Sequence, residues 1–251
     1  MGGASRNEKR RKQEAADRRL AAAGIRPPQR RNRTPLVIVG VVLVVAVVIG
    51  IVVVVVQRSS GGTPPAYAAA VPTAVSGAVV SVGDGPVVVD VYEDYLCPIC
   101  ERFEERYGDE IAAAVNAGQI TARFHTIAIL DAATSPPGYS TRAANAALCA
   151  ADAGVYPAYH HQLFAEQPAE RSAGLTDQQL VQFGTQLGAS GDFATCVTSG
   201  AHTDQVTAET AAAESNPALL TDGQFGTPTV AVGGQKIDLN DTSWLQAAIA
   251  R

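Results

Sequence analysis

Cysteine is scarce in this chain, four among 251 residues, which excludes a miniprotein held by a dense disulfide framework. The number is even and suits two pairs in an oxidising compartment. No internal repeat is present, so a stacked repeat array is excluded as well. Positive charge is scarce after residue 35, where 8 Lys/Arg face 21 Asp/Glu. The basic residues before that point could meet nucleic acid or anionic lipid, and the apolar run that follows them directly favours the membrane over nucleic acid. Between Leu36 and Val56 there is no charged or polar side chain at all, which argues against a soluble core helix.

What is present divides the chain by charge. Residues 1–35 hold 11 Lys/Arg against 3 Asp/Glu, and the apolar run of 21 residues follows directly. As a helix such a run crosses a hydrocarbon core of about 30 Å. A cleaved signal peptide is the competing reading, but its apolar region is about 7–15 residues. Here the only small-residue site, Ala66-Tyr67-Ala68, also lies well beyond the run. The basic flank predicts a single-pass anchor in the cell membrane, with the N-terminus cytoplasmic and the rest outside. Arg10-Arg11-Lys12 and Arg30-Arg31 are placed to touch anionic membrane lipid. The expected order is a basic tail at 1–35, a transmembrane helix at 36–56, a flexible tether at 57–75 and one globular domain at 76–251.

Within that domain, Ala78–Val82 and Val87–Glu93 are β-rich and predict two strands joined by a tight turn at Gly83-Asp84-Gly85-Pro86. From Cys97 the period changes. Phe103, Tyr107, Ile111 and Val115 recur every four residues as a helix that Gly118 stops. Ile120–Leu130 predicts another strand. An Ala-rich helical block spans about 131–220 and includes a capping box at Thr176 and Gln179. Short strands at Pro228–Val232 and Gln235–Leu239, and a helix over Thr242–Ala250 capped by Asp241, complete an α/β order.

Cys97-Pro98-Ile99-Cys100 falls where a strand ends and a helix starts. Cys97 then occupies the N-cap and Pro98 the first helical position, where a missing N–H costs nothing. Free amides and the positive end of the helix dipole favour a thiolate, so Cys97 is the expected nucleophile. Cys100, one turn inward on the same face, is the expected resolving cysteine. A lone CxxC also occurs in zinc sites, but zinc needs a second ligand pair, and Cys149 and Cys196 have no knuckle spacing. No metal and no cofactor are expected. Late in the chain, Gly226-Thr227-Pro228-Thr229 sets a proline at the head of a strand. Were the Thr227–Pro228 bond cis, the Thr227 backbone would lie beside the sulfurs, ready to pair with an extended substrate.

These residues resemble a known family. Tyr92-Glu93-Asp94-Tyr95-Leu96-Cys97-Pro98-Ile99-Cys100, followed by Phe103-Glu104 and the Gly226–Thr229 loop, is similar to the active-site stretch of the DsbA-like thiol-disulfide oxidoreductases, in their membrane-anchored actinobacterial form. The resemblance implies a thioredoxin-like fold with a helical insertion and the formation of disulfides in exported proteins with free thiols. It also implies reoxidation by a quinone-linked membrane partner, of the vitamin K epoxide reductase or DsbB type. Ile99 stands where strongly oxidising members carry histidine, which leaves reductase or isomerase activity open. A tethered binding module with a merely structural CxxC is the reading from another class.

Val91 holds the place where members of the family carry an acid, six before the nucleophile, so Glu93 and Asp94 become the proton-handling candidates, against a reading as a solvated strand end. Cys149 and Cys196 are paired as a structural disulfide, with two buried free thiols as the alternative. His160 and His161, adjacent on a helix and about 100° apart, do not chelate together and are read as helix surface. Tyr95, Leu96, Ile99 and Phe225 are either a client-binding surface or core.

Overall fold

The computed structural model describes residues 71–250, Tyr67 and scattered helical positions between Glu8 and Ala22. The apolar run at 36–56, and the tether up to residue 70 apart from Tyr67, lie outside the described residues. Among the described residues no helix is long and apolar enough to cross a membrane. The chain divides into two units at Ser59 and Ser60. In the first, Lys12 pairs with Glu8 at 2.8 Å and Arg10 with Glu14 at 3.3 Å, each one helical turn apart and exposed.

The second unit is built on a six-stranded mixed sheet of order β1-β2-β4-β3-β5-β6. Its strands are β1 (Thr73–Ser76), β2 (Val79–Val82), β3 (Val87–Glu93), β4 (Ile120–Thr126), β5 (Thr229–Val232) and β6 (Gln235–Lys236). Helix α1 (Pro98–Asn116) carries the chain from β3 to β4, the one parallel pair, in register from Val87 opposite Ile120 to Glu93 opposite Thr126. The crossover is needed because parallel neighbours cannot be joined by a tight turn. Cys100, Phe103, Tyr107, Ile111, Ala114 and Val115 form the buried stripe of α1, and Gly118 leaves it at φ +64°, a left-handed conformation that glycine adopts without strain.

The expected hairpin of β2 and β3 does not form. β4 lies between them, antiparallel to β2 and parallel to β3. The loop joining β2 to β3 must therefore cross the beginning of β4. A Cβ on Gly85 would lie 2.3 Å from the Ile120 nitrogen, so the glycine that suggested a turn is there to let two backbones touch. β1 pairs with β2 along its whole length, which takes residues from Thr73 onward out of the tether and into the sheet.

Other boundaries also move. β4 ends at Thr126, because the following backbone turns away to donate from Leu130 N to the Asp94 carboxylate at 2.9 Å. β6 has two residues and stops well short of Leu239. The last helix, α7 (Trp244–Ile249), begins after a turn in which Asp241 accepts from both the amide and the hydroxyl of Ser243. Asp241 thus closes a turn before the helix rather than capping it.

Between β4 and β5 sit α2 (Tyr139–Asp152), α3 (Tyr156–Ala165), α4 (Asp177–Gln186), α5 (Phe193–Ser199) and α6 (Thr203–Ser215). Helix α2 is buried along most of its length, and its alanines let α3, α5 and α6 pack closely around it. Thr176 and Gln179 form a reciprocal capping box at the start of α4. A disulfide joins Cys149 on α2 to Cys196 on α5, 47 residues apart. Closing a loop of that length stabilises by about 4 kcal/mol in the chain-entropy account.

The insertion is tied to the sheet by charge. His125 on β4 meets Asp90 of β3 through Nε2 at 3.0 Å and Glu209 of α6 through Nδ1 at 2.6 Å, while Tyr92 stacks on its ring at 3.9 Å. Both nitrogens must carry hydrogen to donate to two carboxylates, so the geometry demands an imidazolium. Burial alone would lower the imidazole pKa, but the bonds to Asp90 and Glu209 outweigh it and raise the pKa. Stabilisation from a raised pKa is complete below the unfolded value of about 6.5 and lost as pH climbs through the folded value. The urea-unfolding gap between the protein and its His125→Asn variant is therefore expected to be widest in mild acid and to shrink towards alkaline pH. A gap that is flat or grows with pH contradicts this.

Candidate active site

The chemistry of the site begins at the junction of β3 and α1. Cys97 is the N-cap of α1, with φ −77° and ψ 113°, and Pro98 follows at the first helical position. The cap side chain makes no capping hydrogen bond, so the sulfur is not committed to closing the helix. Asp94 holds the approach to it. Its carboxylate accepts from the Leu96 amide at 2.9 Å, the Leu130 amide at 2.9 Å and the Ser140 hydroxyl at 2.6 Å. Burial pushes Asp94 up to about 6, against the lowering effect of those three donors.

Pairing of β5 with β3 sets Thr229 opposite Tyr92 and brings the preceding loop over the cysteine. The Thr227–Pro228 bond is cis, and the Cys97 thiol donates to the Thr227 carbonyl at 3.4 Å. From the insertion, Gln167 donates to the Tyr95 carbonyl at 3.1 Å and to the Cys97 carbonyl at 3.2 Å. Nothing in the sequence marked Gln167. It lies 70 residues from Cys97, just beyond α3, in no local pattern.

The two cysteines are a free dithiol in unequal surroundings. Hydrogen bonding from the Cys100 thiol, then from the Thr227 side chain and the amides of Cys100 and Ile99, outweighs partial burial and brings Cys97 down to about 6. Cys100 has no exposed surface, and burial above all pushes its thiol well above the ordinary range. A chemical division of labour follows. Cys97, 5% exposed beside the Thr227 loop, is ionised near neutral pH, whereas Cys100, with no exposed surface, holds its proton inside.

Of the residues that flank the motif, Tyr95 and Leu96 are core, whereas Ile99 is 54% exposed and Phe225 is half-buried with its edge on Tyr92. Only Ile99 and Phe225 are thus available as an apolar rim. Glu93 and Asp94 are both buried, which overturns the solvated strand end. Burial first, then the charges of Glu104 and Cys97, push the Glu93 carboxyl well up. His160 is also no surface residue: it is buried, with Nδ1 2.8 Å from the Tyr95 hydroxyl and 3.3 Å from that of Tyr156. The sequence did carry a signal for it: Tyr156, Tyr159, His160, Leu163 and Phe164 recur at i, i+3, i+4, i+7 and i+8, and all five are the buried face of α3.

A family model described as Thioredoxin matches residues 76–251. Among solved structures, the chain is similar to oxidised DsbA of Mycobacterium tuberculosis, with 33% identity, a TM-score of 0.57 and coverage of 65% of this chain and 81% of that one. It is similar to the reduced disulfide bond oxidoreductase DsbG of the same organism, with 33% identity, a TM-score of 0.57 and coverage of 65% and 76%. Among curated proteins, it is 32% identical over 179 residues to the serine/threonine-protein kinase PknE of M. tuberculosis, which is 69% of this chain and 31% of that protein. The chain therefore spans about a third of the length of that relative.

The division between the two sulfurs is measurable. Alkylation by iodoacetamide should modify Cys97 with a pH midpoint near about 6 and leave Cys100 untouched in the folded protein. A midpoint at the ordinary thiol value of about 8.5 would contradict the geometry.

Proposed function

We propose, for a chain that belongs to the thioredoxin family and is a DsbA-like thiol-disulfide oxidoreductase, that it forms disulfides in exported proteins from an anchor in the cell membrane. The observation that carries this reading is geometric: Cys97 caps α1 against the cis Thr227–Pro228 loop with Cys100 fully buried behind it, surroundings that draw the first thiol down and push the second up.

In the oxidised enzyme a substrate thiolate attacks the Cys97 sulfur, breaking the bond to Cys100, which leaves and takes up a proton. A second substrate thiolate then attacks the substrate sulfur of the mixed disulfide and expels Cys97 as a thiolate. The substrate loses two electrons and the CxxC pair gains them. A leaving thiol of low pKa departs readily, which favours oxidation of the client. The Thr227 backbone offers an edge to an extended client, and Ile99 with Phe225 an apolar rim. Recovery of the disulfide requires an electron acceptor, for which a quinone-linked membrane reoxidase of the vitamin K epoxide reductase or DsbB type fits the proposed location. Glu93 feels the charge of Cys97 and its own charge raises the Cys100 pKa, which makes it the better candidate of the two acids to handle the Cys100 proton, since Asp94 already serves three donors.

Anchoring is supported by the 21 uncharged residues at 36–56 behind a tail with 11 Lys/Arg. The tail faces cytoplasmic anionic lipid and the redox domain faces outward, where thiols persist as disulfides.

A Cys100→Ala variant should accumulate mixed disulfides through Cys97 that disappear with reductant, whereas a binding module with a structural CxxC would trap nothing. Equilibration with glutathione separates an oxidase from a reductase or isomerase by the potential of the pair. Alkaline phosphatase fused to the C-terminus should be active in cells and the same reporter at the N-terminus inactive. The reverse pattern would sink the topology.

A further inference from the structure

Below the start of α1, Glu93 at the end of β3, Glu104 on α1 and His160 on α3 converge. His160 Nε2 lies 3.6 Å from Glu93 Oε2 and 3.6 Å from Glu104 Oε2. One donor atom from each of the three falls within 4.8 Å of the others. The side chains of Glu93, His160 and Glu104 are only 4%, 7% and 9% exposed. Yet both Glu93 oxygens, Glu104 Oε1 and His160 Nε2 have no partner at hydrogen-bond geometry; Glu93 and Glu104 are close enough only for a proton between them to help hold Glu93 neutral.

Buried carboxyls and imidazoles without partners are costly, and proteins keep them when something else satisfies them. A gap of 3.6 Å is too long for an N–H···O bond, whose usual length is about 2.9–3.0 Å. It suits two donors each about 2.0–2.2 Å from one tetrahedral ion, whose mutual separation is about 3.3–3.6 Å. The far nitrogen of His160 is held by the Tyr95 hydroxyl at 2.8 Å, which fixes the ring with Nε2 aimed at the carboxylates. Such a partner on the far side of the ring is what a ligating histidine requires.

We propose that Glu93, Glu104 and His160 form a binding site for one divalent transition-metal ion of the zinc class. Two carboxylates and a neutral imidazole cancel the charge of the ion, and three protein donors leave one position open. The other three-donor group among the described residues, Cys149, Cys196 and His202, has both sulfurs consumed in a disulfide. A cation in the site would replace the proton on Glu93, withdraw that carboxylate from proton handling and set positive charge near the sulfurs, which stabilises the Cys97 thiolate and strengthens the enzyme as an oxidant. Occupancy itself does not depend on the direction of exchange.

The test uses the full-length protein in detergent with Cys97 and Cys100 oxidised, so that neither sulfur can ligate, stripped by chelator and dialysed against Zn²⁺. One zinc per chain is expected, with X-ray absorption showing only nitrogen and oxygen neighbours at about 2.0 Å. His160→Asn and Glu104→Gln should each weaken binding at least about tenfold, with circular dichroism reporting whether each variant is folded. The wild-type result stands even if a variant is not. Absence of stoichiometric zinc, sulfur in its shell, or unchanged affinity in either folded variant overturns the assignment.

Discussion

The antiparallel pairing of β5 with β3 decides where this protein can do chemistry. With Thr229 opposite Tyr92, the loop before β5 has no freedom to be elsewhere, and Thr227 arrives at the Cys97 sulfur from 130 residues away. Slip that register by one residue and every β5 side chain changes face, taking the loop with it. Main-chain bonds of the sheet therefore set the position of a carbonyl beside a reactive thiol. Helix α1 contributes the other half, because β3 feeds directly into it and leaves Cys97 at its leading end.

Around that junction the protein buries an unusual amount of polar chemistry. Asp94, Glu93, Glu104, His160 and the His125 group all lie beneath or beside the sheet rather than on its rim. Two solutions to the cost of burial are visible. Asp94 is saturated by three donors, and His125 is clamped between two acids, so both serve as ties between the sheet and the insertion. The Glu93, Glu104 and His160 group is instead left open toward its own centre. The insertion is more than a lid on the core: it supplies Gln167 to the Cys97 carbonyl, Ser140 to Asp94 and Glu209 to His125.

Several features could be read from local chemistry alone because they are local. The period of Phe103, Tyr107, Ile111 and Val115 marks α1, and Val87–Glu93 has the composition of a central strand; both elements stand where these patterns put them. The capping box of Thr176 and Gln179 involves residues three apart, so its bonds are written in the sequence. The supposed hairpin at Gly83–Pro86 shows the limit of such reading. A glycine-rich turn and a glycine-rich crossing have the same composition, and only the presence of Ile120 against Gly85 distinguishes them.

By itself the sequence determined the periodicities, the charge step at the apolar run, and the seat of the CxxC motif at the head of a helix, since each depends on neighbours within a turn or two. The tertiary structure alone decided that β4 separates β2 from β3, that His160 meets the Tyr95 hydroxyl and that Gln167 reaches the active site. The physical reason is that burial and hydrogen-bond partnership are properties of what comes near in space, and chain segments tens of residues apart carry no local mark of their eventual neighbours.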